Sequence, residues 1–175
     1  MTRGKKTIRN LAVTAAVLAL YVWMTGGFLS PADCVMTSME QIGFAPCAIV
    51  REEVIGRTRV YLLRNAQGLY AVHGVRRGLL LWYADGGETH MDLKAHRTAG
   101  APGGNAWGAH EDYSYALFVR DDETVDTAVW TAPDGQICRA SDWVQDCVLV
   151  LVPGQVRWRT LTLYHAGVPV FTETP

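Results

Sequence analysis

The chain has 175 residues, 49% of them hydrophobic and 19% charged, a balance that excludes an intrinsically disordered protein and leaves enough apolar side chain for a core. Seventeen glycines and seven prolines are too few for a collagen-like or low-complexity chain, and a formal charge of -1 leaves no basic footprint for nucleic acid. What remains is a small globular protein led by an apolar segment.

Residues 11–29 (LAVTAAVLALYVWMTGGFL) carry no charge, and a helix of that length, rising roughly 1.5 Å per residue, matches a hydrocarbon core of about 30 Å. Arg3, Lys5, Lys6 and Arg9 precede it without an acidic residue. The positive-inside rule therefore keeps 1–10 as a cytoplasmic tail and sends everything after the segment outside. The expectation is a single-pass protein of the cell membrane, held in the lipid bilayer by an uncleaved signal anchor, with an extracytoplasmic C-terminal body. A cleaved signal peptide competes with this reading, but its apolar region is usually only about 7 to 15 residues, and Tyr21, Trp23 and Met24 are bulky for the approach to a cleavage site. A lipoprotein fits less well, because Pro31, Ala32 and Asp33 precede Cys34. With the four basic residues of the tail set aside, 12 of the 16 Lys and Arg remain against 17 Asp and Glu. The outer part is thus weakly acidic, which names no partner.

All four cysteines follow the apolar segment, where an oxidising compartment lets disulfides persist. Three connectivities are open. Short loops favour Cys34 with Cys47 and Cys138 with Cys147, each bond contributing about 2 to 3 kcal/mol in the chain-entropy model. No Cys-x-x-Cys occurs, so a thioredoxin-like centre and a zinc ribbon lack their minimal spacing.

In chain order, 30–97 reads as a helix followed by an antiparallel β meander. Ser30 is a candidate N-cap, Pro31 suits the first helical position, Asp33 favours the positive end of the dipole, and Gly43 before Phe44 is a stop; a helix from about Pro31 to Ile42 follows. AIVREEVI, RTRVYLLRN, LYAVHGV and GLLLWYA read as strands broken at Gly56, at 66–68, at 76–78 and at 85–87, with ETHMDLKAH as a further candidate. The Gly- and Ala-rich stretch 98–108 (TAGAPGGNAWG) reads as a connector, without the Gly-Lys-Ser/Thr ending or GxGxxG spacing of a phosphate loop. The half 109–175 reads as a β-sandwich, with turns at Asp134-Gly135, Pro153-Gly154 and Ala166-Gly167. Tyr113, Tyr115, Leu117 and Val119 would form an apolar face, opposite a mixed one of Ser114, Ala116, Phe118 and Arg120. The fold class is mainly β.

The order of these motifs, a Ser-Pro helix, the YLLRNAQGLYAV hairpin, LLLWYA, ALFVRDDETVDTAVWTAPDG and a closing LYHAGVPVF, resembles small single-pass, membrane-anchored envelope proteins of Gram-positive bacteria that carry no assigned activity. The resemblance implies a bacterial membrane-anchored ectodomain with an immunoglobulin-like second half. It transfers no functional residues.

Candidate chemistry is sparse. His90, His96 and His110 form the densest set of ligand-type residues, with Glu88, Asp92, Glu111 and Asp112 nearby, but their spacing matches no metal motif. Asp121, Asp122, Glu123 and Asp126 lack the central Gly and terminal Glu of a calcium loop. Glu52-Glu53 and Glu111-Asp112 are sequence neighbours that point apart in extended chain, unlike a glycosidase pair. There is no Gly-x-Ser-x-Gly elbow. His73 and His165 sit in strand-like runs, where a satisfied or surface imidazole is the default. Trp107 and Trp143 lie in expected loops, and Arg157, Trp158 and Arg159 alternate on one strand; these five are the candidate binding residues. No cofactor and no nucleic acid is expected. The function read from the sequence is a non-catalytic binding or accessory protein with an envelope protein or glycan as partner. The alternatives are a metal-dependent extracytoplasmic hydrolase and a sensor ectodomain working with a membrane partner.

Overall fold

The computed structural model describes residues 3–90, 93 and 98–174, leaving out the side chains of 3–5, 23, 25 and 87–90. Helix α1 (Arg3–Thr25) forms where the apolar run offers no Gly or Pro to break it, and Leu11, Val13, Val17, Leu20 and Met24 stay 53% to 71% exposed on it. Among the described residues no helix is long and apolar enough to cross a membrane.

Helix α2 (Pro31–Gln41) opens on Ser30, whose hydroxyl accepts from the Asp33 amide at 3.4 Å, a cap contributing about 1 kcal/mol. It ends where Gly43 turns to φ +74° and the Phe44 amide reaches back to the Met39 carbonyl at 2.9 Å. Its buried face is Cys34, Val35 and Met39.

Strands β1 (Cys47–Ile55), β2 (Thr58–Asn65), β3 (Tyr70–Arg77) and β4 (Trp82–His90) make a four-stranded antiparallel meander in sequence order. The β2–β3 turn is held by Asn65 Oδ1, which accepts from the amides of Gln67 (3.0 Å) and Leu69 (2.9 Å). Two sequence expectations shift here. The run 78–84 is a strand only from Trp82, because Leu79 and Leu80 occupy the β3–β4 turn, which the Gly78 amide closes onto the Leu81 carbonyl at 2.8 Å. The expected break at 85–87 lies inside β4 as a bulge, with Ala84 opposite Val75, Gly86 opposite Gly74 and Asp85 the extra residue; Gly86 supplies φ +85°. The candidate strand ETHMDLKAH contributes 88–90 to β4, and 91, 92 and 94–97 lie outside the described residues.

The connector 98–108 is corrected. Most of it is β5 (Gly103–Ala109), paired along its whole length with β6 (Tyr113–Arg120). An added Cβ on Gly104 would stand 1.7 Å from the Leu93 carbonyl oxygen and one on Gly103 2.2 Å from that of Val119, so these glycines admit close backbone approach. β6 pairs in turn with β9 (Cys147–Pro153). A third sheet runs β11 (Val168–Glu173), β10 (Thr160–His165), β7 (Thr127–Thr131), β8 (Ile137–Ala140).

The three sheets stack with β5-β6-β9 in the middle. Tyr113, Tyr115, Leu117, Val119, Cys147 and Leu149 pack on Val60, Leu62, Tyr70 and Val72 of the meander. Ala116, Phe118 and Val148 pack on Ala128, Trp130, Leu161 and Leu163 of the third sheet. The opposite meander face, Tyr61, Leu63, Ala71 and Val75, is covered by α2. The mixed face expected for β6 is therefore buried too, since a central sheet has no solvent side, and Arg120 closes its end by donating to the Val125 carbonyl at 2.8 Å. The 30–97 and 109–175 segments share a core. Polar ties reinforce it, with the Tyr70 hydroxyl donating to Asp146 and the Thr58 hydroxyl to Asp112 at 3.0 Å.

Candidate functional site

Buried polar groups normally find hydrogen-bond partners, so those that do not mark a place to look. Seven buried side-chain polar atoms of the described residues have no partner in the protein. Three of them, Asp85 Oδ2, His110 Nε2 and Tyr113 Oη, gather where the meander meets the β5–β6 turn. Each is placed by a local feature. His73, whose Nε2 is likewise unpartnered, sits at the centre of β3 opposite Tyr61 and so faces α2, on the other side of the meander from these three. Asp85 is the extra residue of the β4 bulge. His110 is fixed by its backbone amide to the Tyr113 carbonyl at 2.7 Å, and its ring lies 4.8 Å from the Tyr113 ring and 6.1 Å from that of Tyr115. Room for the Tyr113 hydroxyl comes from Gly74, where a Cβ would stand 2.6 Å from the oxygen.

The rim is charged and internally compensated. Arg76 donates to Glu111 at 2.9 Å and its Nε lies 3.3 Å from Asp112. Arg76 and Asp112 also line an open hollow of about 440 Å³ together with Ile55 and Pro153. Inside, charge is disfavoured. Burial, with His110 nearby, holds His73 down to about 4, so its imidazole is neutral at neutral pH. Burial pushes the Asp85 carboxyl above the usual range against the pull of Arg76, and burial with the Asp85 charge raises the Tyr113 hydroxyl. The result is a partly buried set of donors and acceptors, Asp85, His110 and Tyr113, suited to water or a small polar molecule.

The sequence candidates are dispersed. Of the histidines, His110 belongs to this cluster, the side chain of His90 and all of His96 lie outside the described residues, and among the described residues no group of three His, Cys, Asp or Glu could hold a metal ion. Trp158 is 5% exposed and donates its Nε1 hydrogen to the Tyr115 carbonyl at 3.1 Å; it lies just before β10 in the core and offers no binding face. Trp143 donates to the Asp126 carbonyl at 2.8 Å, meets Phe118 edge-on and carries Arg120 4.3 Å above its ring. Trp107, half-buried, sits in β5 opposite Ala116 rather than in a loop. Arg157 and Arg159 are exposed. Asp85 and Tyr113 escaped the sequence reading as companions of His110, and the Asp-Gly-Gly of the bulge is the one local signal that a side chain is re-aimed there.

All four cysteines are free thiols. Cys34 and Cys47 belong to the same cluster under α2. Cys147 faces the meander side of the central sheet, whereas Cys138 packs on its other side. The Cys138–Cys147 bond expected from loop length is therefore corrected, because the central sheet stands between the two side chains. Mild oxidation of the native protein followed by peptide mapping is expected to yield Cys34 linked to Cys47 and no Cys138–Cys147 peptide. Burial raises the Cys147 thiol, so it should be the last alkylated.

No family model, curated protein or solved structure matches this chain.

Proposed function

We propose that the protein is a membrane-anchored, extracytoplasmic binding or accessory protein of a bacterial envelope, non-catalytic, with its N-terminus in the cytoplasm. The observation that carries this reading is α1. Leu11, Val13, Val17, Leu18 and Leu20 stay exposed on more than one side of it, while its last turns meet the β body through Tyr21 and Tyr83; exposed apolar side chains of this kind are stable in a bilayer rather than in water, and the preceding basic residues fix its direction. The sheet stack that follows supports an immunoglobulin-like arrangement, because β6 leads to β7 and β9 to β10 by crossing from the central sheet to the third while β6 pairs β9 and β7 pairs β10. Its polar cluster, Asp85 with His110 and Tyr113, is our candidate place for a small ligand, and the exposed Arg157 and Arg159 our candidate place for an envelope protein or glycan.

Intact mass of the protein in the membrane fraction, with protease added to spheroplasts, tests the anchor. The expected result is a full-length mass and degradation of the body from outside the cell. A mass beginning after residue 26, or a body protected from protease, overturns it.

A further inference from the structure

We propose that the β3–β4 turn, Leu79-Leu80, is a second membrane contact that dips into the outer leaflet beside the anchor and fixes how the body sits on the bilayer. The inference rests on the anchor reading, and the geometry that carries it is the join between α1 and the body. Only three residues after α1 ends, Phe28 and Trp82 exchange both backbone hydrogen bonds, 2.9 Å from the Phe28 amide and 2.7 Å from the Trp82 amide. Gly27 is buried there, and a Cβ on it would stand 2.8 Å from Leu81 Cβ and 2.9 Å from the Tyr83 ring. A chain that leaves the bilayer at Thr25 is thus stitched at once to the start of β4. The turn preceding β4 is thereby held within a few residues of the point where the chain leaves the bilayer.

That turn presents apolar side chains outward. Leu79 is 82% exposed and Leu80 58%, whereas Leu81, which packs against Gly27, is fully buried. Leu29, 69% exposed, extends the apolar surface from the other side of the bridge. The flanking residues are those of a membrane interface. Arg57 donates to the Gly78 carbonyl at 3.0 Å and is exposed, and Arg77, also exposed, lies 5.9 Å from the centre of the Trp82 ring, with Arg59 5.2 Å from it. Tryptophan and tyrosine favour the headgroup level, and arginine beside an apolar tip meets anionic headgroups. In a body that is acidic overall, this local basic pair complements an anionic lipid surface.

The test places a nitroxide label at one of three positions in the full-length protein, Leu80→Cys, Val17→Cys in α1, and Ile137→Cys on β8 in the third sheet. Each is reconstituted in phosphatidylcholine vesicles containing phosphatidylglycerol, and the signal of identically treated wild-type protein is subtracted for the native thiols. The readout is the ratio of collisions with oxygen to collisions with an aqueous nickel chelate, which rises with depth. Expected is a ratio at 80 clearly above that at 137 and below that at 17. A high ratio at 17 with an aqueous ratio at 80 overturns the second contact and leaves the anchor standing. An aqueous ratio at 17 overturns the anchor and this inference with it.

Discussion

Gly104→Ala is expected to cost at least about 3 kcal/mol, the upper end of ordinary overpacking, and to shift the urea midpoint of unfolding far below that of the wild type. The reason is the kind of atom in the way. A Cβ at 104 would lie 1.7 Å from the Leu93 carbonyl oxygen and 2.8 Å from Leu93 Cβ. No rotamer change relieves a backbone contact, so either β5 leaves β6 or the segment at Leu93 lifts off the core it shares with Val60, Tyr70 and Tyr115. Against a typical total of about 5 to 15 kcal/mol, that loss is large. Gly108→Ala is the informative comparison. Its Cβ would stand 2.6 Å from the Tyr115 ring, a side chain that can yield in part, and the cost should be smaller. Equal midpoints for Gly104→Ala and wild type would mean that β5 is not packed as described.

The same glycines explain why part of the fold was hidden. Caps and turns are local chemistry, so Ser30, Gly43 and the Asn65–Gly68 turn could be placed from neighbouring residues alone. The meander was legible for the same reason. A strand made of Gly, Gly, Asn, Ala, Trp, Gly and Ala has none of the β-branched pattern by which strands are recognised; its membership in the sheet depends on Leu93 and Val119, which sequence spacing does not reveal. The double burial of β6 was equally non-local. Its second face carries Ser114 and Ala116, which read as mixed until a third sheet is placed over them, and Ser114 proves to be satisfied by the Gly154 carbonyl and the Val156 amide. Of the site, His110 was singled out for nearby carboxylates, while its actual companions, Asp85 and Tyr113, come from β4 and β6.

Acid is expected to destabilise the protein through His73, and the sign follows from its environment. The folded state holds His73 near 4, against about 6.5 in an unfolded chain. Between those values the unfolded chain binds the extra proton, so stability falls as pH drops from about 6.5 and the loss is complete below about 4. At about 1.4 kcal/mol per pH unit the total is about 3 kcal/mol. The buried position, 7% exposed, leaves little screening by solvent. Asp85 opposes this trend: its folded carboxyl is raised, so the folded state binds that proton more readily and gains as pH falls through the same region. Urea unfolding at pH 7 and pH 4 should therefore show a loss in the wild type, a much smaller one in His73→Gln, and a larger one in Asp85→Asn. His73→Gln with an undiminished acid loss would place the responsible group elsewhere. Because a bound molecule stabilises the state that holds it, a small polar ligand of the Asp85, His110 and Tyr113 cluster should raise the urea midpoint at pH 7, and Tyr113→Phe should remove that increment while leaving the slope due to His73, on the other face of the sheet, in place.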